Sequence, residues 1–291
     1  MSDNAYHHIP VLLKESIDLL NVKEGGTYVD CTLGGGGHAE AILKGLGVRG
    51  QVLGIDTDLE AIEAAKKRLA AHKNIKFVHD NFKNLKKILT EKVDGILLDL
   101  GVSSYQIDQA SRGFSIREDG PLDMRMDQSL ALTAETIINQ FGQEELVKIF
   151  SEYGEERFSK RIAKAIVVGR ATSNIKTTFQ LKEIIEKAIP TWKKRESVSR
   201  IFQSLRIFIN QELDSLKTLL NDAVDCLNPG GRIVVISYHS LEDRIVKQTF
   251  RAAKADGKMN LLTKKPLRAT EDEISSNPRA KSAKLRAGEI I

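Results

Sequence analysis

Cysteine is nearly absent: Cys31 and Cys226 are the only two in 291 residues. Two cysteines cannot build a disulfide framework, and without CxxC pairs there is no thiolate zinc site, so the composition points to a reducing cytoplasm. Long apolar runs are missing as well. No stretch approaches the ~18 residues of a membrane span. The apolar run at 9–13 is short and soon meets Lys14 and Glu15, which excludes a signal peptide. Aromatics are scarce at 5%, which argues against extended base-stacking platforms. Net charge is modest, with 44 Lys+Arg against 39 Asp+Glu. Hydrophobic residues at 41% and charged residues at 29% are ordinary for folded domains and exclude a chain disordered throughout.

What charge there is lies unevenly. Residues 157–206 carry 13 basic and three acidic side chains, and residues 251–291 carry ten and five. The remainder of the chain is therefore acidic. A basic stretch of this density suits a phosphate backbone, because each Lys or Arg that neutralises a phosphate releases counterions. A solvated helix face is the competing reading of the same charges.

Four short apolar runs at 26–31, 50–56, 75–79 and 93–100 read as strands, with helical periodicity at 38–46 and 59–72 between them. Strands alternating with helices of this length mean βαβ units and a parallel sheet covered on both faces. Beyond about 108 the pattern turns wholly helical: 131–141, 143–151, 159–170, 178–189, then 201–220 with a bend or break near Asn210. The basic run Lys193-Lys194-Arg195 reads as an exposed loop. Leu227-Asn228-Pro229-Gly230-Gly231 reads as a turn before a buried strand at 232–237. A helix from Leu241, a strand at 259–263 and an edge strand at 282–291 complete the chain. The expected fold is α/β and Rossmann-like, with domain segments 1–108 and 213–291 flanking an inserted all-helical domain at 109–212.

The sharpest local feature is DCTLGGGGH at 30–38, between a strand and a helix. Glycines there permit positive φ and close backbone approach. Asp56 ends the next strand, where a carboxylate can accept from both ribose hydroxyls of a nucleoside cofactor. Two cofactors fit these residues. NAD is one, because Gly34, Gly36 and Ala39 match G-x-G-x-x-G/A. S-adenosylmethionine is the other, its loop opening on a strand-end acid, here Asp30.

A second cluster, Asp99-Leu100-Gly101-Val102-Ser103-Ser104-Tyr105-Gln106, follows the fourth strand. Ligands of open α/β sheets bind beyond the carboxyl ends of the strands, which puts Asp99 at the same crevice as Gly36 and Asp56. An exocyclic base amine is a poor nucleophile, and acceptors for its N–H hydrogens orient it toward a methyl donor. Asp99, Ser103 and Ser104 are suitable acceptors. Methylation at pyrimidine carbon 5 usually needs a cysteine nucleophile, and neither cysteine follows a proline in this loop. Amine methylation is the better fit.

Taken together the motifs resemble one family, the bacterial 16S ribosomal RNA (cytosine-N4)-methyltransferases. The resemblance rests on HIPVLL at 8–13, the loop at 30–38, residues 94–102, RGFS at 112–115 and PLDMRMD at 121–127. It continues through YGEER at 153–157, NQEL at 210–213, SLEDR at 240–244 and NPRAKS at 277–282. It implies a class I S-adenosylmethionine-dependent fold with a helical insertion. It also implies cofactor contacts at Gly36, Gly37, His38, Asp56, Phe82, Asp99 and Gln106, and methyl transfer to N4 of a decoding-region cytidine. The implied partner is 16S rRNA in an assembling or assembled small subunit, in the cytoplasm and away from membranes. Tyr105 stands where many members carry proline.

Asp99, Ser104 and His239 are the residues expected at the chemistry, His239 because it closes the resumed strand at the crevice mouth. His7 and His8 have no carboxylates near them in sequence, and no metal is expected. Asp123 and Asp127 flank Arg125, an arrangement read as an ion-paired scaffold with an edge facing RNA.

Overall fold

A computed structural model describes residues 10–291; the histidines at 7 and 8 lie outside the described residues. Two compact units emerge, one from 1–101 with 213–291 and one from 102–212.

The first unit is built on a seven-stranded sheet of order β3-β2-β1-β4-β5-β7-β6. Its strands are β1 (Thr27–Asp30), β2 (Gln51–Asp56), β3 (Ile75–His79), β4 (Val93–Asp99), β5 (Leu227–Ser237), β6 (Met259–Leu261) and β7 (Lys284–Ile290). The first five run parallel. Alternation along the strands explains their near-continuous apolarity. Ile96, Leu98, Ile233 and Val235 enter one core, while Leu97, Val234 and Ile236 enter the core on the opposite face. The helices Glu212–Cys226 and Ser240–Ala255 cover the first core with Leu216, Leu219, Val246 and Phe250. The helices Gly37–Leu46 and Leu59–Arg68 cover the second with Ile42, Leu46, Ile62 and Ala65.

Two expectations about this sheet are corrected. The last strand is not an edge: β7 pairs antiparallel with both β5 and β6, and the short β6 takes the edge. A hydrophobic pattern reports burial but not pairing order, and the burial of Leu285 and Ala287 is that of an interior strand. The NPGG segment, read as a turn, lies within β5 as an irregularity. The pairing steps from Val93–Leu227 to Gly95–Arg232, so five residues of β5 oppose two of β4. Gly230, at φ +75°, accommodates that bulge.

The second unit holds the helices Ala134–Gln140, Gln143–Glu152, Ser159–Thr172, Thr178–Ala188 and Lys194–Asn210. They close around Ile138, Phe150, Ile166, Ile185 and Leu205. The break near Asn210 falls at Gln211, in the left-handed region at φ +51°. The loop expected at 193–195 is a correction. Residues Thr191–Lys193 form a 3-10 turn and the helix begins at Lys194. Burial of Ser197 and Val198 draws this charged segment into helix despite its loop-like composition.

PLDMRMD is a side-chain and backbone knot within this unit. Arg125 donates to both carboxylate oxygens of Asp123, at 2.8 and 2.7 Å, and to the carbonyls of Gln128 and Leu130. Arg112 donates to the carbonyls of Arg125 and Met126. Asn210 accepts from the Met126 N–H and donates to the Met124 carbonyl, holding Met124 at φ +63°. The two arginines and Asn210 thus satisfy an irregular backbone that has no ladder to pair with.

Candidate active site

Three carboxylates stand at the carboxyl ends of β1, β2 and β4. Asp30 is almost fully buried; one oxygen accepts from the Thr32 N–H, and the other, Oδ2, has no partner among the described residues. Asp56 accepts from the Gly34 N–H through Oδ2 at 2.8 Å and from the Asp58 N–H through Oδ1 at 2.9 Å. Asp99 accepts from the Tyr238 hydroxyl at 2.6 Å, and its other oxygen lies 3.8 Å from Nδ1 of His38.

Burial pushes all three up from the ordinary carboxylate value of 3.8, Asp30 to about 7, Asp56 to about 6 and Asp99 to about 7. For Asp30 the negative charges of Asp99 and Asp56 add to the burial, so the three act on one another through a low-dielectric space. A cluster of this kind, with one buried oxygen left without a donor, is electrostatically suited to a cation and hostile to a pyrophosphate.

The glycine loop is shaped by packing as much as by any ligand. Gly36 sits at φ +78°, and a Cβ there would lie 2.9 Å from Leu69. A Cβ on Gly37 would lie 2.4 Å from Pro10 Cγ. His38 is buried, with Nε2 3.2 Å from the Val11 carbonyl. Gly36, Gly37, His38, Asp56 and Asp99 are therefore brought together at one end of the sheet in the first unit. Phe82 opens a 3-10 turn after β3 and packs partly buried against the sheet's core.

His239 is the N-cap of Ser240–Ala255. Its Nδ1 faces the Glu242 N–H at 3.4 Å, and its Nε2 lies 3.1 Å from Glu242 Oε1, but without a hydrogen-bonding alignment. Glu242, buried, also accepts from the Tyr238 N–H at 2.8 Å. The next acid of SLEDR, Asp243, holds Arg286 of β7 at 2.7 Å. This explains the motif structurally: one acid caps the helix and the other ties it to the sheet.

Gln106 and Ser104 belong to the second unit. Gln106 is buried and forms a reciprocal capping box with Ser103, accepting from the Ser103 N–H at 3.0 Å. Ser104 opens the same helix, Ser104–Asp108, and its side chain lies outside the described residues.

Sequence reasoning missed Tyr238 and Thr32. Thr32 Oγ1 accepts from the Asp99 N–H at 2.6 Å, fixing the backbone on one side of the carboxylate that Tyr238 holds on the other. The signal was positional: Tyr238 follows β5 directly, and β5 pairs with the strand that Asp99 ends.

The family model described as the MraW methylase family matches residues 5–291. The chain belongs to the MraW methylase family. Relatives named ribosomal RNA small subunit methyltransferase H include one from Halothermothrix orenii, 52% identical over 98% of each chain. Another, from Clostridioides difficile, is 46% identical over 98% of this chain and 99% of its own. A solved Clostridium thermocellum structure, assigned as an rRNA-methylase, is 15% identical and covers 98% of each chain at TM-score 0.50. That likeness bears on the fold alone, a class I Rossmann-like methyltransferase sheet. Among the described residues no helix is long and apolar enough to cross a membrane.

Proposed function

We propose that this chain transfers a methyl group from S-adenosylmethionine to N4 of a cytidine in the decoding region of 16S ribosomal RNA. The carrying observation is the carboxylate trio of Asp30, Asp56 and Asp99 at the strand ends. S-adenosylmethionine is the methyl donor, and when bound it supplies an electrophilic methyl on a sulfonium. Its ammonium and sulfonium suit the acidic site, and the unpartnered Oδ2 of Asp30 offers an acceptor for a cationic donor. NAD fits poorly, because its pyrophosphate would meet three carboxylates and a Gly34 N–H already given to Asp56.

In this reading Asp56 accepts from the ribose, and Gly36, Gly37 and His38 shape the loop around the methionine end. Phe82 lies against the base, and Gln106 completes the cofactor contacts. Asp99 accepts hydrogens from the target amine, and with a pKa of about 7 it can take the proton the methylated nitrogen sheds. Ser104 and His239 assist in orienting the base. The cysteines support amine chemistry by their unsuitability for anything else. Both are buried, and burial pushes the Cys31 thiol well above its ordinary range, the reverse of what a ring-attacking thiolate needs.

The relatives' names support a small-subunit rRNA substrate, and the basic charge of residues 157–206 supports a helical insertion that meets RNA. Segments 1–108 and 213–291 form the methyltransferase domain in this proposal, and 109–212 the RNA-facing one. A cytosine must leave its stack to be reached, at a cost of a few kcal/mol, so an accessible loop is the expected target. Incubating small subunits that lack the modification with methyl-labelled S-adenosylmethionine, then mapping the base, tests the proposal. Label on a cytidine N4 is expected; label on ring carbon, or none on RNA, overturns it.

A further inference from the structure

Trp192 is the only tryptophan in the chain, and its side chain is 76% exposed. That is unusual for the largest apolar side chain, which is normally well covered. The exposure is enforced from below. Ile189 is buried, Pro190 sets an extended entry, and the Lys193 N–H closes the 3-10 turn on the Pro190 carbonyl. Ser197 and Val198 then bury the first turn of the following helix. The ring is therefore held outward on a rigid corner.

Its neighbours are cationic. Lys193 Nζ lies 5.2 Å from the ring centroid. Lys194 and Arg195 follow it, and Arg195 is exposed. Glu196 pairs with Lys193 and with Arg200, and the charge of Arg157 also bears on it. One carboxylate therefore sits among five basic side chains, and the surplus stays positive. An exposed indole in a positive field has the complementarity an unpaired nucleotide requires, with a π-face for the base and cations for its phosphates. A protein partner would explain the ring but not the phosphate-matched charge; an anionic lipid surface also presents phosphates and is set aside on the reading that the substrate is RNA. The composition excludes an extended platform, and a single ring is what one flipped or looped base needs.

We propose that Trp192 stacks one unpaired nucleotide of the RNA substrate while Lys193, Lys194 and Arg195 hold the adjoining phosphates. This rests on the reading that the substrate is RNA.

Because Trp192 is the sole tryptophan, its emission reports on this one position. The full-length protein is titrated with a protein-free fragment of small-subunit RNA, exciting the indole selectively, while filter binding follows affinity independently for that RNA and for unmethylated subunits. Emission should be quenched in step with binding to the naked RNA. Trp192→Ala should weaken that binding by about 5- to 150-fold, the range for one base–aromatic stack, whereas Trp192→Phe should retain most of it. Affinity for S-adenosylmethionine should be unchanged in both variants, which controls for folding. RNA that binds without altering emission, together with undiminished affinity of Trp192→Ala, overturns the inference while leaving the methyltransferase reading intact. Weakened binding of Trp192→Ala to whole subunits but not to naked RNA overturns it in favour of a ribosomal protein. Failure of labelled methyl to reach RNA in the same preparation instead defeats the functional reading itself.

Discussion

Tyr238 and Asp99 are joined across neighbouring strands by a 2.6 Å hydrogen bond in which the phenol donates and the carboxylate accepts. Burial opposes the charge on Asp99, and the Tyr238 bond is the influence that favours it. Burial first, and the charge and hydrogen bond of Asp99 after it, push the Tyr238 phenol well above its ordinary range, so it remains a donor at every working pH. Tyr238 thus orients the carboxylate and, against the larger effect of burial, lowers the pH at which it ionises, which makes it a positioning residue if Asp99 acts as proposed.

Replacing Tyr238 with phenylalanine removes that bond with little change of shape. A hydrogen bond to a charged group contributes roughly 1.5–3 kcal/mol, which corresponds to about one to two pKa units. Asp99 should then ionise at higher pH. The acidic limb of kcat/KM should move up by about that amount, with activity near pH 7 lost and activity near pH 9 largely recovered. A uniform loss at every pH would refute the assignment of Asp99 as the proton acceptor.

The three raised carboxylates also predict an inverse pH dependence of stability. Their folded values of about 7, 6 and 7 exceed the ordinary 3.8, so the folded chain holds more protons than the unfolded chain between about pH 4 and 7. Their contribution is complete below about pH 4 and is lost as pH rises through about 6 to 7. Melting temperature of the ligand-free protein should therefore fall across that window, and fall less in Asp30→Asn. A bound cation reverses the preference, so S-adenosylmethionine should release protons on binding. Calorimetry in two buffers of different ionisation enthalpy measures this directly, and a buffer-independent heat near pH 6 would contradict it.

Gly37 offers a test of packing. A methyl group there would lie 2.4 Å from Pro10 Cγ and 3.6 Å from an Arg68 nitrogen. Overpacking of this kind costs typically 1–3 kcal/mol, and the glycine loop, proposed to shape the cofactor site, must move to relieve it. Gly37→Ala should lower both melting temperature and S-adenosylmethionine affinity. Adding Pro10→Ala, which removes the obstructing ring atoms, should restore part of both. No recovery in the double variant would mean that the glycine serves the ligand and not the packing.

The elements legible in the sequence were those whose signal is local. Strands β1, β4 and the second half of β5 announce themselves because both of their faces are buried, which leaves unbroken apolar runs such as Ile96-Leu97-Leu98, whereas β3 is only half-covered and was legible from its place in the alternation. The clustering of the glycine loop with the strand-end acids was legible because strand, glycines and two acids follow in order. Pairing was not: nothing local to Leu285 or Ala287 says that β6 lies beyond them. The helix at Lys194 was hidden because its charges resemble a loop, and only the tertiary burial of Val198 decides otherwise. Tyr238 was missed for a related reason, since its contact with Asp99 spans 139 residues and depends on strand order. His239 was singled out as closing the resumed strand; it lies just past β5, which ends at Ser237, as the N-cap of the next helix, with its imidazole occupied beside Glu242. The proposed catalytic assistance adds to that structural duty.

The basic helix Ser159–Thr172 carries the final prediction. Lys160, Arg161 and Lys164 are all exposed on it, while Ile162, Ala163 and Ile166 face the core of the second unit. The positive charges are therefore solvent-facing and can be removed without disturbing packing. They are also better probes of pure electrostatics than Lys193, which is engaged with Glu196 and the Trp192 ring. Changing the three to glutamine should weaken binding to small subunits and leave S-adenosylmethionine affinity unaltered. If each neutralises one phosphate, the slope of log affinity against log salt should flatten by about 0.7–0.9 per residue, or roughly 2–3 for the triple variant. A salt titration with unmethylated subunits reads this directly. An unchanged slope would make this face ordinary solvated surface and leave the phosphate contacts to Lys193, Lys194 and Arg195 or to the basic segment beyond residue 251. The same titration on variants of Lys194 and Arg195, and of Arg251, Lys254 and Lys258, would then show which carries the missing slope.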